Sequence, residues 1–451
     1  MWLFSSISNV LTIQKRSGWN RQQVLDYQKS QLRSMLRYLW DESPFYRDYY
    51  SSNGIQERDL TDVGIRDLPI LNKEILMDNF DQISNDPLLR REKIEGWIHS
   101  GTPGIYEDRY VILHTSGSSG TLGIFAYDKQ AWCRARGVTS RAGSTRINPF
   151  NRVRLAWYGA THGRFAGVTA CSTLPRSMCR VRLCSVLDPI PTTTATLNDF
   201  QPENLFGYAE GIHELARTAL AGKLKITPSY ITTSGEPLTE DAIKAIEDAW
   251  GITPTNAYGT SESICLGLQL PGHSELTLME DENLIEILND DDTEVAPGKI
   301  GRVVVSALYN RAIPVIRYDL RDLVTRGHRA EDSALDNILR VEGRANDALP
   351  ITLHDGSPDT IHPVVLSEFF VPGIRKFQFI SESPARAKIS YVSEREMDST
   401  VLEEFNRILE LKGAKETTRT TVTRVDELPA DRQTGKHRLV LLPRANGSSG
   451  S

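Results

Sequence analysis

The 451-residue sequence has few cysteines, and none of them are spaced as a metal-binding or disulfide pair. Its five cysteines are Cys133, Cys171, Cys179, Cys184 and Cys265. No two form a Cys-x-x-Cys motif, and an odd count does not suit a closed disulfide framework. We therefore expect reduced thiols that are mostly buried.

The sequence also lacks an uninterrupted apolar run long enough for a membrane span. The first 14 residues are uncharged, but the basic residues Lys15 and Arg16 follow the apolar part instead of preceding it, so we expect no secretory signal. The uncharged stretch 110–127 is broken by a Gly/Ser-rich loop, whose backbone polar groups would be unsatisfied in lipid. These features predict a cytoplasmic protein that does not bind membranes.

No excess of basic residues is present. Lysine and arginine number 52 against 58 aspartates and glutamates, which gives a net charge of −6. This balance argues against a protein that binds nucleic acid over its whole surface, and it leaves room for a local basic groove. With 39% hydrophobic and 24% charged residues, the composition is that of a globular protein, and the length favours two to four folded units.

Hydrophobic periodicity predicts an α/β body in roughly the first 260 residues. Helices are predicted over residues 20–40, 128–141 and 208–220 and after the capping residues Asn72 and Thr239, with strands at 110–113 and 230–233. In the first helix, Leu25, Leu32, Met35, Leu36 and Leu39 are predicted to share one buried face. Helices and strands that alternate in this way favour a sheet that is at least partly parallel.

The pattern changes after residue 283. Strands predicted at 284–288, 301–308 and 315–318, with charged turns between them, suggest an antiparallel and more barrel-like part. A boundary is expected near 343–350. Beyond it, a helix at 398–411 and strands at 418–425 and 438–442 predict a compact α+β unit, and residues 446–451 read as a flexible tail or cloning remnant.

Two segments combine residue types that suit nucleotide chemistry. One is the loop Thr115-Ser116-Gly117-Ser118-Ser119-Gly120-Thr121, whose glycines let backbone N–H groups approach an anion and whose hydroxyls add donors. It lacks the lysine of a Walker P-loop, and a surface loop explains it as well as a phosphate loop does.

The second segment is Asn256-Ala257-Tyr258-Gly259-Thr260-Ser261-Glu262. In it, Tyr258 could stack on a base and a hydroxyl could contact phosphate, while Glu262 offers an oxygen ligand for Mg²⁺. A turn followed by a helix cap is the alternative interpretation.

The order of six motifs resembles the adenylate-forming superfamily, which includes acyl-CoA synthetases, peptide-synthetase adenylation domains and luciferases. The motifs are the Gly/Ser loop, Ser234-Gly235-Glu236-Pro237, the Tyr258–Glu262 segment, residues 317–322, residues 343–347 and residues 433–438. Within the superfamily the chain is most similar to the phenylacetate-CoA ligase group and its relatives from polysaccharide and secondary-metabolite pathways. Segments 31–39, 43–46 and 68–73 share this resemblance, which covers roughly residues 25–442.

The resemblance implies roles for individual residues. Residues implied to bind ATP are Thr115, Ser116, Gly117, Ser118, Ser119, Gly120, Thr121, Ser234, Gly235, Glu236, Pro237, Asn256, Ala257, Tyr258, Gly259, Thr260, Ser261, Asp322 and Arg344. It also implies Lys436 and Glu262 as catalytic residues, Glu262 as the Mg²⁺ ligand and Asp347 as a hinge. The corresponding domains are a large one of residues 1–346 and a small mobile one of residues 347–445.

An acid-binding slot is predicted from glycines that lie beside aromatic side chains, an arrangement that suits a flat ring. Its candidate residues are Tyr158, Gly159, His162, Phe165 and Tyr208. His162 could contact the carboxylate or a ring substituent, or it could be a loop histidine satisfied by its neighbours.

The implied function is ATP-dependent activation of a carboxylic acid, preferably aromatic, as an acyl-adenylate, followed by transfer to coenzyme A. Three segments differ from the family's usual motifs: Leu122-Gly123, Tyr318–Asp322 and residues 348–356. The last of these helps to form the thiol tunnel in relatives, so an amine or nitrite acceptor stays open, as does a non-catalytic nucleotide-binding homologue. The expected cofactors are ATP and Mg²⁺, no nucleic-acid partner is expected, and monomer and homodimer are both open.

Overall fold

The computed structural model of the chain describes residues 2–101, 104–115, 122–142, 152–161, 163–236, 238–331, 333–341, 349–361, 365–366, 369, 371–428 and 439–442. The described residues of Met1–His114, Ile124–Leu183 and Leu197–Gly343 form one compact unit, and those of Thr115–Gly123, Cys184–Thr196 and Arg344–Ser451 form a second. No helix in these ranges is both long and apolar enough to cross a lipid bilayer.

The first unit begins with helices. In the described residues, the α-helices before the first strand are α1 (Trp2–Arg16), α2 (Arg21–Glu42), α3 (Pro44–Ser52), α4 (Lys73–Asp78), α5 (Phe80–Ile83) and α6 (Arg91–His99). Asn20 caps α2 through a capping box with Gln23. Asn72, the predicted cap of α4, accepts a hydrogen bond from the Ile75 N–H at 2.9 Å. Polar caps therefore set where these helices begin.

Four of the five residues predicted for the buried face of α2 are buried, namely Leu32, Met35, Leu36 and Leu39. Val24 is 1% exposed, and Gln28, Leu32 and Leu36 follow it at helical spacing. Leu25, predicted to be buried, is 40% exposed, because it lies about 100° around the helix from Val24.

The α/β part of the unit contains two sheets. Its strands are β1 (Tyr110–Thr115), β2 (Gly123–Asp128), β3 (Val153–Gly159), β4 (Cys179–Ser185), β5 (Asn204–Tyr208), β6 (Tyr230–Ser234) and β7 (Thr255–Tyr258). The helices in this stretch of the chain are α7 (Lys129–Gly137), α8 (Ala166–Ser172), α9 (Ile190–Phe200), α10 (Ala209–Leu220) and α11 (Glu240–Trp250), of which α9 belongs mostly to the second unit. β1 and β2 form a two-stranded sheet, and β3, β5, β6 and β7 pair in parallel, which confirms the predicted parallel sheet.

The larger sheet continues into an antiparallel part, as predicted. Its strands are β8 (Gly267–Gln269), β9 (Leu276–Leu278), β10 (Asn283–Leu288), β11 (Ile300–Ala307), β12 (Tyr318–Arg326) and β13 (Asn337–Val341). The strand order is β10-β11-β12-β13-β9-β8-β7-β6-β5-β3-β4, so β4 is an edge strand.

The strand predicted at 315–318 is wrong, since β12 begins only at Tyr318. Arg317 adopts φ 49° and its guanidinium is buried against Glu286, at 3.3 Å for both Nε and Nη2. A left-handed residue interrupts the extended run there.

The second unit has its own core. Its elements are β14 (Leu349–Thr352), β15 (Pro358–Ile361), β16 (Ile374–Ser383), β17 (Arg386–Ser393), α12 (Asp398–Lys412), β18 (Arg419–Arg424) and β19 (Val440–Leu441). β14 pairs with β15, and the other strands form a sheet of order β18-β17-β16-β19. Phe369, Phe377, Phe379 and Phe405 pack together in its interior. The predicted helix at 398–411 is confirmed, and Gly413 ends it at φ 70°.

Three consecutive acids, Glu280, Asp281 and Glu282, lie buried between β9 and β10, and we call them the acidic run. They are 5%, 1% and 1% exposed. Arginines that come from α1, α2, α7 and the 3₁₀ turn after α7 neutralise them; these are Arg16, Arg21, Arg134 and Arg141. Arg141 binds Asp281 through two hydrogen bonds of 2.7 and 2.9 Å. Such a two-pronged geometry is the strongest form of a charge pair.

Removing one partner of this buried pair should destabilise the protein. We expect Arg141→Met to lower the free energy of unfolding by about 3–5 kcal/mol, because Asp281 would keep a buried charge with less compensation. The matched control is Arg37→Met, whose pair with Glu57 is exposed on both sides and should cost about 1 kcal/mol or less. Urea denaturation measures both; an equal loss in the two variants would contradict the assigned role of the acidic run.

Candidate active site

Four parallel strands place the predicted residues in one row at their carboxyl ends. Tyr158 of β3 lies opposite Gly207 of β5, and Tyr208 lies opposite Ser234 of β6. Ser234 in turn lies opposite Ala257 of β7. The carboxyl edge of a parallel sheet is where α/β proteins bind ligands, so the sheet itself brings these segments together.

The turn after β6 packs against an aromatic ring. Gly235 has φ 81°, and a Cβ at this position would lie 2.9 Å from Cδ1 of Tyr208. Only glycine fits such a position without strain. The Glu236 carboxylate accepts a hydrogen bond from the Glu210 N–H at 3.1 Å, at the start of α10. The turn is therefore tied to both Tyr208 and α10.

Two predicted nucleotide-binding residues touch each other. The Tyr258 hydroxyl donates a hydrogen bond to Oδ2 of Asp322 at 2.8 Å, although 64 positions separate them in the chain. Asn256 donates its backbone N–H to the side-chain carbonyl of Gln269 at 3.1 Å, which anchors the start of the segment. The aromatic ring and the carboxylate that the resemblance assigns to the nucleotide thus share one location.

A tight turn holds the segment after Tyr258. The Thr260 hydroxyl accepts from the Ser263 N–H at 3.0 Å and donates to the Ser263 carbonyl at 3.1 Å. A Cβ on Gly259 would lie 2.6 Å from the Ile264 carbonyl oxygen, so the turn requires glycine. The Ser261 carbonyl accepts a hydrogen bond of 2.7 Å from the buried Tyr127 hydroxyl.

Glu262 is buried at the end of this turn, with 8% of its surface exposed. Burial, and to a smaller extent the nearby negative charge of Asp322, together raise the pKa of its carboxyl to about 7. Lys73 and a hydrogen bond from Thr260 act in the opposite direction. A carboxyl whose pKa lies near neutrality, in a row of nucleotide-binding candidates, is a functional-site signal.

Lys73 is a functional candidate that the sequence reasoning missed. Lys73 is the first residue of α4. Two positions before it, Leu71 pairs with the start of β12 through backbone hydrogen bonds: the Leu71 N–H donates to the Arg317 carbonyl, and the Asp319 N–H donates to the Leu71 carbonyl, both at 2.8 Å. This pairing brings Lys73 close enough to interact with Glu262. The resemblance to the family covers segment 68–73 without assigning a role to any one residue in it. The basic side chain at its end is the sequence feature that indicates a functional role for Lys73.

The aromatic side of the site centres on Trp157, which lies 5.4 Å from Tyr208 and 4.8 Å from Phe206 between ring centroids. A Cβ on Gly159 would lie 2.5 Å from this indole, so Gly159 and Tyr208 are brought onto one ring. Phe165 packs instead on His114 at 4.6 Å. Trp157 is the first residue of segment 157–163, which also contains the predicted slot residues Tyr158, Gly159 and His162.

Several predicted residues lie outside the described residues, so their placement stays a prediction. These are Ser116, Gly117, Ser118, Ser119, Gly120, Thr121, His162, Pro237, Arg344, Asp347 and Lys436. Thr115, the first residue of the predicted phosphate loop, ends β1.

The oxygen ligands at Glu262 suit a hard cation. Among the described residues, no group of three or more histidines, cysteines, aspartates and glutamates is arranged as a metal cage. Mg²⁺ does not need one, because it is usually held by one or two carboxylates together with substrate phosphates. Glu262 and the neighbouring Asp322 are carboxylates of that kind.

Comparison with known proteins finds ligases that are similar to this chain in sequence and in fold. No protein-family profile matches the chain. It is 26% identical over 344 residues to a phenylacetate-coenzyme A ligase of Escherichia coli, with 72% of each chain covered. It is 22% identical over 404 residues to the enzyme of the same name from Thermus thermophilus, with 85% of each covered. The solved structure of a 2-hydroxyisobutyryl-CoA ligase with 2-HIB-AMP and CoA has the same fold, with TM-score 0.60, 17% identity, and coverage of 94% of this chain and 91% of that one.

The fold and these relatives define the class of the protein as an AMP-forming ligase. In sequence the chain is similar to phenylacetate-CoA ligases, which fits the resemblance to this group that the motifs carry. The predicted fold class, an α/β body followed by a small α+β part, is confirmed.

The raised pKa of Glu262 predicts a measurable effect on stability. Because the folded-state pKa is about 7 and the ordinary value is 4.5, the folded state holds the proton more tightly, and this carboxyl makes stability fall as pH rises from about 4.5 to 7. Glu262→Gln removes the ionisable group, so the ligand-free variant should be more stable than the wild type above pH 7, with the advantage shrinking towards pH 4.5. Thermal unfolding at several pH values measures this, with the exposed Glu331→Gln as control. A constant difference across this range would contradict the assigned pKa.

Proposed function

We propose that the chain activates a carboxylic acid with ATP, forming an acyl-adenylate and pyrophosphate, and then transfers the acyl group to coenzyme A. The observation that supports this most is the buried Glu262, with its pKa near 7, beside the Tyr258–Asp322 hydrogen bond. Both features lie where a parallel sheet of this fold offers its carboxyl ends to a ligand.

The chemistry requires two anions to meet, a carboxylate and the α-phosphate of ATP. In the proposed site, Tyr258 and Asp322 hold the nucleoside, while Thr115–Thr121 supply donors to the phosphates. Lys73 and Lys436 place positive charge where negative charge develops in the transition state. Mg²⁺ at Glu262 would neutralise phosphate charge when bound. No nucleophile of the protein is needed, because AMP is itself a good leaving group.

An aromatic or similarly flat acid is the proposed substrate class. Tyr208 and Gly159 meet on the buried Trp157 ring, and Gly235 lets the turn after β6 lie close to Tyr208. Apolar walls with few polar groups are the usual lining of a small-molecule site. Tyr158, Phe165 and His162 remain proposed members of this slot.

Coenzyme A is the proposed acceptor, because the relatives from E. coli and T. thermophilus are named phenylacetate-coenzyme A ligases. The similar solved structure holds CoA together with 2-HIB-AMP. An amine or nitrite acceptor would use the same adenylate, so product analysis distinguishes the three.

The defining test is the fate of ATP. We expect AMP and pyrophosphate, and no ADP, only when a suitable acid is present, because the candidate loop lacks the lysine of a Walker motif. A pyrophosphate-exchange screen over aryl, alkyl and amino acids identifies the acid, followed by product analysis with coenzyme A, an amine and nitrite. Glu262→Gln should abolish Mg²⁺-dependent exchange and Glu331→Gln should not. ADP and phosphate as products would reject the proposal.

Lys436 provides a test of the two half-reactions. Lys436→Ala should slow adenylation by about 10²-fold or more, since it removes a preorganised charge from the transition state. It should leave ATP affinity nearly unchanged and spare acyl transfer, because we propose that the small domain of residues 347–445 turns at Asp347 between the steps. Single-turnover kinetics from acid plus ATP, and from pre-formed acyl-adenylate plus acceptor, compare the two; equal slowing would exclude the rotation.

A further inference from the structure

A cavity lined by arginines lies in the first unit, away from the candidate active site. Its volume is about 620 Å³. Five guanidinium groups and one aromatic ring dominate its lining, and we call it the arginine cavity; they belong to Arg152, Arg154, Arg176, Arg180, Arg182 and Phe200. The volume falls within the range of about 300–1,000 Å³ that is usual for small-molecule sites.

The cavity occupies the opposite end of β3 from the candidate active site. Arg152 immediately precedes β3, and Arg154 is its second residue. The residues proposed for the acid and nucleotide follow the carboxyl ends of β3, β5, β6 and β7. Arg180 and Arg182 belong to β4, the edge strand, so the sheet itself separates the two sites.

The positive charge of the cavity is poorly compensated. Among the residues that the structure describes, Asp199 is the one carboxylate in its lining. Arg154 donates from Nε to the Gln201 carbonyl at 2.6 Å and lies 3.8 Å from the Glu203 carboxylate. Within the described ranges, Arg176, Arg180 and Arg182 form no ion pair with an acid. Arg152, Arg176, Arg180 and Arg182 are exposed and Arg154 is partly buried, so water screens their mutual repulsion, and an anion bound among them would gain from several positive charges at once.

The arrangement suits phosphate better than a single carboxylate. A guanidinium presents a planar fork of donors that matches phosphate oxygens, and several forks around one cavity match several phosphates. Arg182 also lies over the Phe200 ring, 5.5 Å from its centroid. This contact orients one guanidinium at the cavity wall.

Protection of the sheet edge does not explain the whole cluster. Charged side chains on an edge strand prevent pairing with another chain, and Arg180 and Arg182 alone would achieve that. Arg152, Arg154 and Arg176 come from the start of β3 and from the segment before β4, and they line the same concavity. Arginines that converge on one cavity from separate segments of the chain are typical of a binding site for an anion.

We propose that the arginine cavity binds a small molecule that carries two or more phosphate groups, at a site separate from Glu262. A free polyphosphate and a nucleotide that bears two phosphates on its ribose share this chemistry. The two probes are therefore inorganic tripolyphosphate and adenosine 3′,5′-bisphosphate, both used without Mg²⁺.

The test resolves the site directly. Wild-type protein is treated with phenylglyoxal, which modifies arginine, with and without each probe, and peptides are analysed by mass spectrometry. We expect protection of Arg180 and Arg182 by at least one probe. Calorimetry should then show that Arg180→Ser with Arg182→Ser weakens this binding about tenfold or more, as expected for lost charge-assisted hydrogen bonds. The probe that binds more tightly identifies the source of the phosphates.

A control of equal charge change is Arg33→Ser with Arg217→Ser, two exposed arginines on α2 and α10. This variant should bind the probes like the wild type. Absence of protection at Arg180 and Arg182, or equal weakening in both double variants, would overturn the proposal. Pyrophosphate exchange should persist in Arg180→Ser with Arg182→Ser, so failure here and failure of the proposed adenylation are distinguishable.

Discussion

The neutralisation of the acidic run is the constraint on which the first unit depends. Three consecutive carboxylates between β9 and β10 would be prohibitively costly to bury without counter-charges. The four arginines that surround them come from the N-terminal helices and from α7 and its 3₁₀ extension. Gln28 of α2 adds hydrogen bonds to the carbonyls of Glu280 and Asn283, at 2.8 and 3.1 Å. The antiparallel half of the sheet therefore reaches its native state only with these helices in place.

The same region supports the candidate active site through Asn283. Its side-chain amide donates to the Met279 carbonyl at 3.2 Å, next to the acidic run, while its Oδ1 accepts from the Ser263 hydroxyl at 2.8 Å. Ser263 closes the turn with Thr260 and directly follows Glu262. Because Asn283 is fully buried, water cannot replace these hydrogen-bond partners. A disturbance of the acidic run is thus expected to reach Glu262 through two side chains.

Local sequence patterns predicted the helix starts well, but they could not predict which segments pair over long distances in the chain. The predicted polar caps at Asn72 and Thr239 mark helix starts in sequence, and the structure confirms them. Helix α1 was not predicted, and part of what fixes it is long-range, since its last residue Arg16 pairs with the distant Glu282. Lys73 was missed for a related reason: only the pairing of Leu71 beside β12 brings it towards Glu262. The motif order identified the family, whereas the contact between Tyr258 and Asp322 required the fold.

Glu262 and the acidic run show two different ways to bury a carboxylate. The acidic run is paired with guanidinium groups that are part of the protein, and these arginines oppose the rise in pKa that burial causes at Glu280 and Glu282. Glu262 lies beside Asp322, and its pKa is about 7. Near neutral pH this carboxyl is therefore protonated in part of the molecules, and the proton can leave. A cation and a proton compete for the same carboxylate oxygens, so binding of Mg²⁺ in the proposed reaction would release the proton. The ligand-free site thereby avoids part of the cost of a buried charge, and the negative charge develops when positive charge arrives to meet it.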